Sequence, residues 1–315
     1  MRRRDFMGRS AAFAALATLP GRGSEKVKAS IESTGVAQGT RSAADATANP
    51  LQAPAKGKIP VAFVLSRGAV MIDFAGPWAV FGNVMIPSRG PTMDDQMPFD
   101  LYTVAETAKA VTVSDGMKIE PNYTFDNAPA PKVIVIPAQG GESKRMLDWI
   151  KSSSQHADLT MSVCTGAFVL ADTGLLSGKP ATTHHGSYRE LAVQYPDIQV
   201  KRGARFVDAG NVATAGGLSS GIDLALHVVE RYFGRAVATS VAYEMEYQGQ
   251  GWTNPESNAV YAAFKVSTDE HPVCPVCEMD VDPAGAPKST YKGKTYYFCS
   301  PGHKASFDAA PEKWI

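Results

Sequence analysis

The sequence lacks an excess of charge of either sign and lacks a long apolar run. Lys and Arg together number 31, as do Asp and Glu, so the overall charge does not predict a binder of nucleic acid or another polyanion. No stretch reaches the roughly 20 apolar residues that a membrane-spanning helix needs. Hydrophobic residues make up 44% of the chain and charged residues 20%, which excludes a disordered or collagen-like protein. A length of 315 residues predicts about two globular domains.

Positive charge is concentrated at the N-terminus. The first 22 residues contain five Arg and one Asp, and a small-residue apolar run follows at positions 11–19. The Arg-Arg-x-Phe-Met pattern at positions 3–7 resembles the twin-arginine export signal of bacteria. We therefore expect a signal peptide at residues 1–29, a flexible linker at 30–57, and a periplasmic or secreted protein. The alternative is a basic, disordered cytoplasmic tail.

Residues 58–251 alternate two kinds of pattern. Short apolar runs rich in β-branched residues predict buried strands at 61–65, 101–104, 133–136 and 159–163. Helical patterns occupy 142–153, 166–173, 188–195 and 220–233, and the last begins with a capping-box pattern from Ser220 to Asp223. Gly210 and Asn211 favour a local hairpin. This alternation predicts an α/β domain with a mostly parallel sheet covered on both faces.

Cys164 stands where a predicted buried strand gives way to a predicted helix. A side chain at such a junction lies at the carboxyl edge of the sheet, where α/β folds bind ligands, and the helix N-terminus favours a thiolate. The N–H of Thr165 is a candidate donor to a developing oxyanion, and the turn containing Gly140 and Gly141 is a second source of such groups. The alternative is a cysteine that packs inertly in the core.

The residues around Cys164 also resemble a known family. Residues 162–185 are similar to the nucleophile elbow of the ThiJ/PfpI superfamily, the class I glutamine-amidotransferase-like domains. The similarity is greatest to the branch of isonitrile hydratases and the amidotransferase-like domains of AraC-type regulators. Three further stretches agree with that branch, at residues 71–77, 135–141 and 215–226. The resemblance implies a flavodoxin-like sandwich, commonly dimeric, with the cysteine at the nucleophile elbow.

The resemblance also implies roles for individual residues. Asp73 matches the position at which isonitrile hydratases carry a functional Asp, which implies Asp73 as acid/base, Cys164 as nucleophile and Thr165 as a positioning hydroxyl. Thr165 replaces the His that follows the Cys in protease-like members. Asp73 would alternatively cap a helix opening at Pro77. His184 is a further catalytic candidate that reaches back toward the thiol, or else a structural histidine.

Three of the four cysteines lie near the C-terminus. Together with one histidine they form two close pairs of donors that suit a tetrahedral zinc site or a thiolate-rich copper(I) site: Cys274, Cys277, Cys299 and His303. A Cys274–Cys277 disulfide is the alternative. Residues 271–315 resemble a YHS domain, a small metal-binding module, preceded by a linker at 252–270. Many YHS domains have one cysteine where this chain has two, and a cysteine in place of His303.

Two functions are consistent with these features. The first is an exported cysteine-dependent hydrolase or hydratase (lyase), isonitrile-hydratase-like, acting on a small molecule with a Cys164 of lowered pKa and no cofactor in the main domain. The second is a catalytically silent ThiJ/PfpI scaffold whose tail senses copper or zinc, or exchanges it with a metal donor or acceptor protein. The resemblance implies a homodimer, and no nucleic-acid partner is expected.

Overall fold

The apolar runs of the sequence form the strands of one central sheet. The computed structural model describes residues 49–315, so the predicted signal peptide and most of the linker at 30–57 lie outside the described residues. The strands are β1 (Ile59–Val64), β2 (Phe99–Ala105), β3 (Val111–Thr112), β4 (Lys118–Ile119), β5 (Tyr123–Thr124), β6 (Val133–Ile136), β7 (Leu159–Val163), β8 (Pro180–Ala181), β9 (Gln199–Val200), β10 (Phe206–Asp208), β11 (Val212–Ala215), β12 (Lys288–Tyr291) and β13 (Lys294–Tyr297). Seven of them form a sheet in the order β10-β11-β7-β6-β1-β2-β5, parallel except for the β10–β11 hairpin.

Helices cover both faces of this sheet. They are α1 (Met71–Gly82), α2 (Met93–Gln96), α3 (Lys144–Ser154), α4 (Gly166–Asp172), α5 (Tyr188–Gln194), α6 (Ser220–Phe233), α7 (Arg235–Glu244) and α8 (Pro301–Ala309). Successive residues of β1 enter two separate cores: Val61 and Phe63 pack with α1, α6 and α7, whereas Ala62 and Val64 pack with α3, α4 and α5. The predicted α/β fold with a mostly parallel sheet is therefore confirmed, because its central strands β1, β6 and β7 are buried on both sides.

Two helix starts differ from the sequence-based expectation. Helix α1 begins at Met71, so Asp73 lies in its first turn and Pro77 lies inside the helix. The capping box predicted from Ser220 to Asp223 does not form, because Ser219 is the N-cap residue of α6 and makes no side-chain cap hydrogen bond. Asp223 instead accepts hydrogen bonds from Arg205 and Tyr247, so its carboxylate is used in tertiary packing.

The segments expected to be linkers are partly bound to the α/β domain. Trp252 and Asn258, from the linker predicted at 252–270, are buried, and Arg205 donates a hydrogen bond to Asn258 at 3.2 Å. At the end of the linker predicted at 30–57, the N–H of Leu51 donates to the carbonyl of Arg231 at 2.8 Å. Trp252 and Leu51 pack against the core on the α1, α6 and α7 face of the sheet, so these described parts of the two segments are held by apolar contacts.

The C-terminal module is built from the β12–β13 hairpin and α8. Its small core contains six buried residues: Cys274, Val276, Cys277, Phe298, Phe307 and Trp314. The module and the α/β domain belong to one compact unit. Within residues 49–315, none of the helices combines the length and the apolar character that crossing a bilayer requires.

Candidate active site and metal centre

Cys164 occupies a strained turn between β7 and α4. Its φ of 59° lies in the left-handed region, which residues with a side chain seldom adopt. The surrounding structure holds this conformation by hydrogen bonds: the Cys164 N–H donates to the carbonyls of Ala215 and Gly216 at 3.2 and 2.9 Å. The hydroxyl of Thr183 donates to the Cys164 carbonyl at 2.9 Å. This geometry is that of a nucleophile elbow at the carboxyl edge of the sheet.

Gly166 allows the elbow to approach the neighbouring strand. A Cβ at this position would lie 2.3 Å from the carbonyl oxygen of Ile136 and 2.7 Å from that of Pro137. Both contacts are with backbone, which cannot move aside as a flexible side chain would. Only glycine therefore lets the first turn of α4 pack onto the end of β6.

The Cys164 thiol is buried, and its surroundings favour the protonated form. Its pKa is raised to about 11, first by burial and then by the charge of Asp73. Hydrogen bonds from the N–H of Leu218 and from the N–H and hydroxyl of Thr165 act in the opposite direction but are the smaller effects. The expectation of a lowered pKa is therefore wrong, because desolvation outweighs the donors at the helix start.

Asp73 is the acid that the structure brings to this thiol. Its side chain is fully buried, Oδ2 accepts the N–H of Ala138 at 3.1 Å, and Oδ1 has no hydrogen-bond partner within residues 49–315. Burial raises its pKa to about 7, opposed by the Ala138 hydrogen bond. The alternative role as a cap of a helix opening at Pro77 is wrong, because the carboxyl reaches across to the loop after β6. A free oxygen and a pKa near neutrality leave Asp73 able to take up and release a proton.

The predicted oxyanion donors are only partly available. The N–H of Gly140 donates to the carbonyl of Arg67 at 3.0 Å, so in this conformation it is not free to bind a substrate oxygen. Gly141 has a φ of 74° and lies beside the same arginine. The structure places the N–H groups of Thr165 and Leu218 at the thiol instead.

Leu218 was not anticipated from the sequence. Its backbone φ of 44° is again in the left-handed region, and it ends the Gly216-Gly217 turn that follows β11. The sequence feature that could have indicated this donor is the pair of glycines directly after a buried strand, at the same sheet edge as Cys164. Because almost every residue carries a backbone N–H, residue type gives no other indication that Leu218 is a donor.

His184 borders this turn and makes no hydrogen bond to Cys164 among the described residues. Its Nδ1 accepts the N–H of Gly186 at 3.1 Å, and a Cβ on Gly217 would lie 2.5 Å from its ring. The rings of His184 and His185 lie 4.2 Å apart. Burial, and then the neighbouring His185, lowers the pKa of His184, which favours a neutral ring. In this arrangement His184 packs against the turn that carries Leu218.

The C-terminal donors form a compact cluster. The ligand atoms of Cys274, Cys277, Cys299 and His303 all lie within 4.8 Å of one another. The Cys277 and Cys299 sulfurs are 3.4 Å apart, and Nδ1 of His303 is 3.1 Å from the Cys299 sulfur. All the cysteines are free, so the alternative Cys274–Cys277 disulfide is not present.

This donor set fits the group that a YHS domain implies. Three thiols and one imidazole can surround a single ion at Zn–S distances of about 2.3 Å, and thiolates equally suit copper(I). Hydrogen bonds from Cys277 and His303 lower the pKa of Cys274 against the effect of burial, which favours the thiolate form that a metal ligand needs. The N-cap hydroxyl of Ser300 accepts the N–H of His303 at 3.2 Å and fixes the start of α8 that presents the imidazole.

The metal module contacts the α/β domain. Arg202 pairs with Glu278 at 2.6 Å, with both side chains largely buried. The sulfur of Met279 lies 3.7 Å from the position that a Cβ on Gly186 would occupy. Gly186 is the residue that donates its N–H to His184, so the two sites share this stretch of backbone.

The fold and the elbow together define a flavodoxin-like α/β protein with a buried cysteine and a neighbouring carboxyl at the edge of its sheet. Residues 60–231 match the DJ-1/PfpI family, and residues 273–315 match the YHS domain. The chain therefore belongs to the DJ-1/PfpI family and carries a C-terminal YHS domain.

Similar proteins include both an enzyme and regulators. Over 192 residues the chain is 33% identical to the isonitrile hydratase of Pseudomonas putida, covering 59% of this chain and 78% of that protein. It is 23% identical over 151 residues to the HTH-type transcriptional regulator GbdR of Pseudomonas aeruginosa, covering 47% of this chain and 41% of the regulator. A ThiJ/PfpI family protein from Pseudomonas syringae superposes with a TM-score of 0.54 at 26% identity, covering 63% of this chain and 78% of that chain.

Proposed function

We propose that the α/β domain is a cysteine-dependent hydratase or hydrolase for a small molecule, and that isonitriles are its first candidate substrate class. The observation that carries the proposal is the pairing of Cys164 on a strained elbow with a buried Asp73 whose pKa is about 7. The similarity to an isonitrile hydratase over most of that protein's length supports the substrate class.

The site can perform hydration without a redox step. For an isonitrile R–N≡C, the Asp73 carboxylate accepts the thiol proton while the sulfur of Cys164 bonds to the terminal carbon, and the same proton then passes to that carbon. The product of this step is the thioimidate R–N=CH–S–Cys164. Water adds to the carbon, a proton reaches the nitrogen through Asp73, and the C–S bond breaks with reprotonation of the sulfur. The released product is the formamide R–NH–CHO.

The pKa values suit this cycle. A thiol with a pKa of about 11 keeps its proton until substrate is bound, so the proton needed at carbon is carried into the reaction. Asp73 is partly protonated at neutral pH and can act in both directions. The N–H groups of Leu218 and Thr165 stabilise the sulfur while it carries negative charge.

The test is an assay of wild-type protein beside Cys164→Ala and Asp73→Asn against isonitriles, amides and dicarbonyls, with the formyl proton of the product followed by NMR. We expect no turnover by Cys164→Ala and a loss of about 10²–10⁴-fold for Asp73→Asn. Asp126→Asn, in an exposed pair with Arg145, is the control and should retain wild-type activity. Unchanged turnover by Cys164→Ala would contradict the proposal.

A second candidate function is metal sensing or delivery by the C-terminal module, with zinc or copper as the ion. The compact Cys3His cluster favours it. Elemental analysis of protein purified without chelators should find about one zinc or copper per chain, and Cys299→Ser should remove it. A metal content far below one per chain in the wild type would argue against this function.

We also propose export and dimerisation, each of which has its own test. The Arg-Arg-x-Phe-Met pattern supports export by the twin-arginine pathway, and family resemblance supports a homodimer. Cell fractionation should find the wild type in the periplasm or medium and the Arg3→Lys/Arg4→Lys variant in the cytoplasm. Light scattering on the purified protein should give twice the chain mass.

A further inference from the structure

Helix α5 of the α/β domain forms one wall of the metal module. Arg189 donates a hydrogen bond to the carbonyl of Trp314, and Val193 packs against the small core of the module. Between them, Glu190 places Oε2 4.0 Å from Nε2 of His303. Residues three and four apart are neighbours on a helix surface, so Val193 lies on the same face as Glu190 and Arg189.

The orientation of His303 makes the contact with Glu190 specific. Its Nδ1 faces the thiols, at 3.1 Å from the Cys299 sulfur and 3.6 Å from the Cys274 sulfur. The other ring nitrogen, Nε2, therefore points away from the cluster and toward the α/β domain. The carboxylate that it meets belongs to a different domain from all four metal ligands.

The Glu190 carboxylate is itself held in place. Gln194, one turn further along α5, donates to Oε1 of Glu190 at 3.1 Å, which leaves Oε2 directed at His303. The side chains of Glu190 and His303 are 21% and 25% exposed, so solvent screens the pair only in part. At 4.0 Å the pair is an ionic contact and not a direct hydrogen bond; the negative charge favours the ring tautomer with its proton on Nε2, which presents the lone pair of Nδ1 to the thiol cluster.

We propose that Glu190 is a positioning residue for the metal ligand His303, so that the α/β domain completes the metal site of the YHS module. The inference rests on the proposed metal binding. A carboxylate behind a ligating histidine fixes the orientation and the tautomer of its ring, and removing such a partner lowers metal affinity by about 10–100-fold.

The experiment measures zinc affinity of the full chain by competition with a chromogenic chelator. We expect Glu190→Gln to bind zinc about 10–100-fold more weakly than the wild type. Glu312→Gln, which changes an exposed carboxylate of the same module, is the matched control and should bind as the wild type does. Thermal unfolding of each zinc-free variant checks that the fold is retained.

A second background separates positioning from packing. In His303→Cys the four donors become thiols, and a carboxylate behind a thiolate has no tautomer to select and repels the charge. Glu190→Gln should therefore cause no loss of zinc affinity in His303→Cys. An equal loss in both backgrounds would show a packing effect and overturn the proposal.

The outcomes also separate this inference from the function on which it rests. If the wild type binds no zinc or copper, the metal function fails. If the wild type binds zinc and Glu190→Gln binds it equally well, the metal function stands and the role of Glu190 is wrong.

Discussion

At the scale of single residues, the candidate site depends on a buried carboxyl that costs stability. The pKa of Asp73 is about 7 in the folded chain against an ordinary value of 3.8 for an exposed aspartate, because burial disfavours its charge. Between those two pH values the folded state binds more protons than the unfolded state, so the free energy of unfolding falls as the pH rises. The loss is complete above about pH 7, where both states are ionised.

Asp73→Asn should therefore stabilise the protein while slowing turnover. The asparagine keeps the shape of the side chain but never ionises, which at high pH removes a cost on the order of 4 kcal/mol at about 1.36 kcal/mol per pKa unit. We expect the melting temperature of the variant to exceed that of the wild type near pH 8 and to match it near pH 4. Calorimetry at both pH values is the measurement.

The control for this pH dependence is Asp126→Asn, whose carboxylate is exposed. It should shift the melting temperature by a similar small amount at both pH values. If Asp73→Asn behaves in the same way as this control, the buried carboxyl does not titrate as described.

Gly166→Ala should disrupt the elbow without changing any polar group. The added methyl would overlap the carbonyl oxygens of Ile136 and Pro137, and such overpacking costs about 1–3 kcal/mol. Chemical denaturation and turnover should both show the loss. Gly285→Ala is the matched control, because a Cβ there meets nothing within 4 Å. Equal stability of the two variants would mean that α4 can move away from β6.

At the scale of elements, a buried ion pair joins helix α6 to the chain before β10. Asp223 accepts from Nε of Arg205 at 2.6 Å and from the hydroxyl of Tyr247 at 3.0 Å, with its side chain 1% exposed. Asp223→Ala would leave the guanidinium of Arg205 without its buried partner. Urea denaturation should show a loss of about 3–5 kcal/mol.

The exposed pair of Lys144 and Asp148 on α3 provides the comparison. Asp148→Ala should change the free energy of unfolding very little, because water screens that pair. A small effect of Asp223→Ala would instead favour the simpler interpretation of Asp223 as a dispensable helix-start residue.

The elements also show which structure the sequence could predict. Strands β6 and β7 were predicted at their observed limits, because continuous apolar runs bounded by turn residues are typical of strands buried on both faces. The start of α1 was missed, since Pro77 is a common first residue of a helix yet lies in the interior here. The capping box at Ser220 does not form because Asp223 pairs with Arg205, a largely buried arginine that no local sequence pattern reveals.

The same limit applies to the site. Cys164 and Asp73 could be proposed from their places in the pattern, and the metal cluster from the spacing of its donors. The direction of the Cys164 pKa shift could not be predicted from the sequence, since it depends on how deeply the folded protein buries the thiol. The contact of Glu190 with His303 joins residues 113 positions apart, and nothing near either residue signals it.

At the scale of the whole molecule, metal should contribute to folding. The core of the C-terminal module has only six buried residues, which is little for independent stability. Zinc at about a thousand times its dissociation constant would stabilise the folded state by about 4 kcal/mol. We expect a chelator to lower the melting temperature and to speed hydrogen exchange in residues 271–315. Cys299→Ser should melt at a temperature that neither zinc nor chelator changes.

The close packing around Gly186 should affect how the sequence evolves at this position. A Cβ there would lie 3.3 Å from Nδ1 of His184 and 3.7 Å from the sulfur of Met279, so a side chain at this position contacts both. Selection on the cysteine site and selection on the metal tail therefore act on the same position, and substitutions on either side should show epistasis. In a relative without the C-terminal metal module, position 186 would no longer contact Met279. We therefore expect this position to be among the first to vary in such relatives.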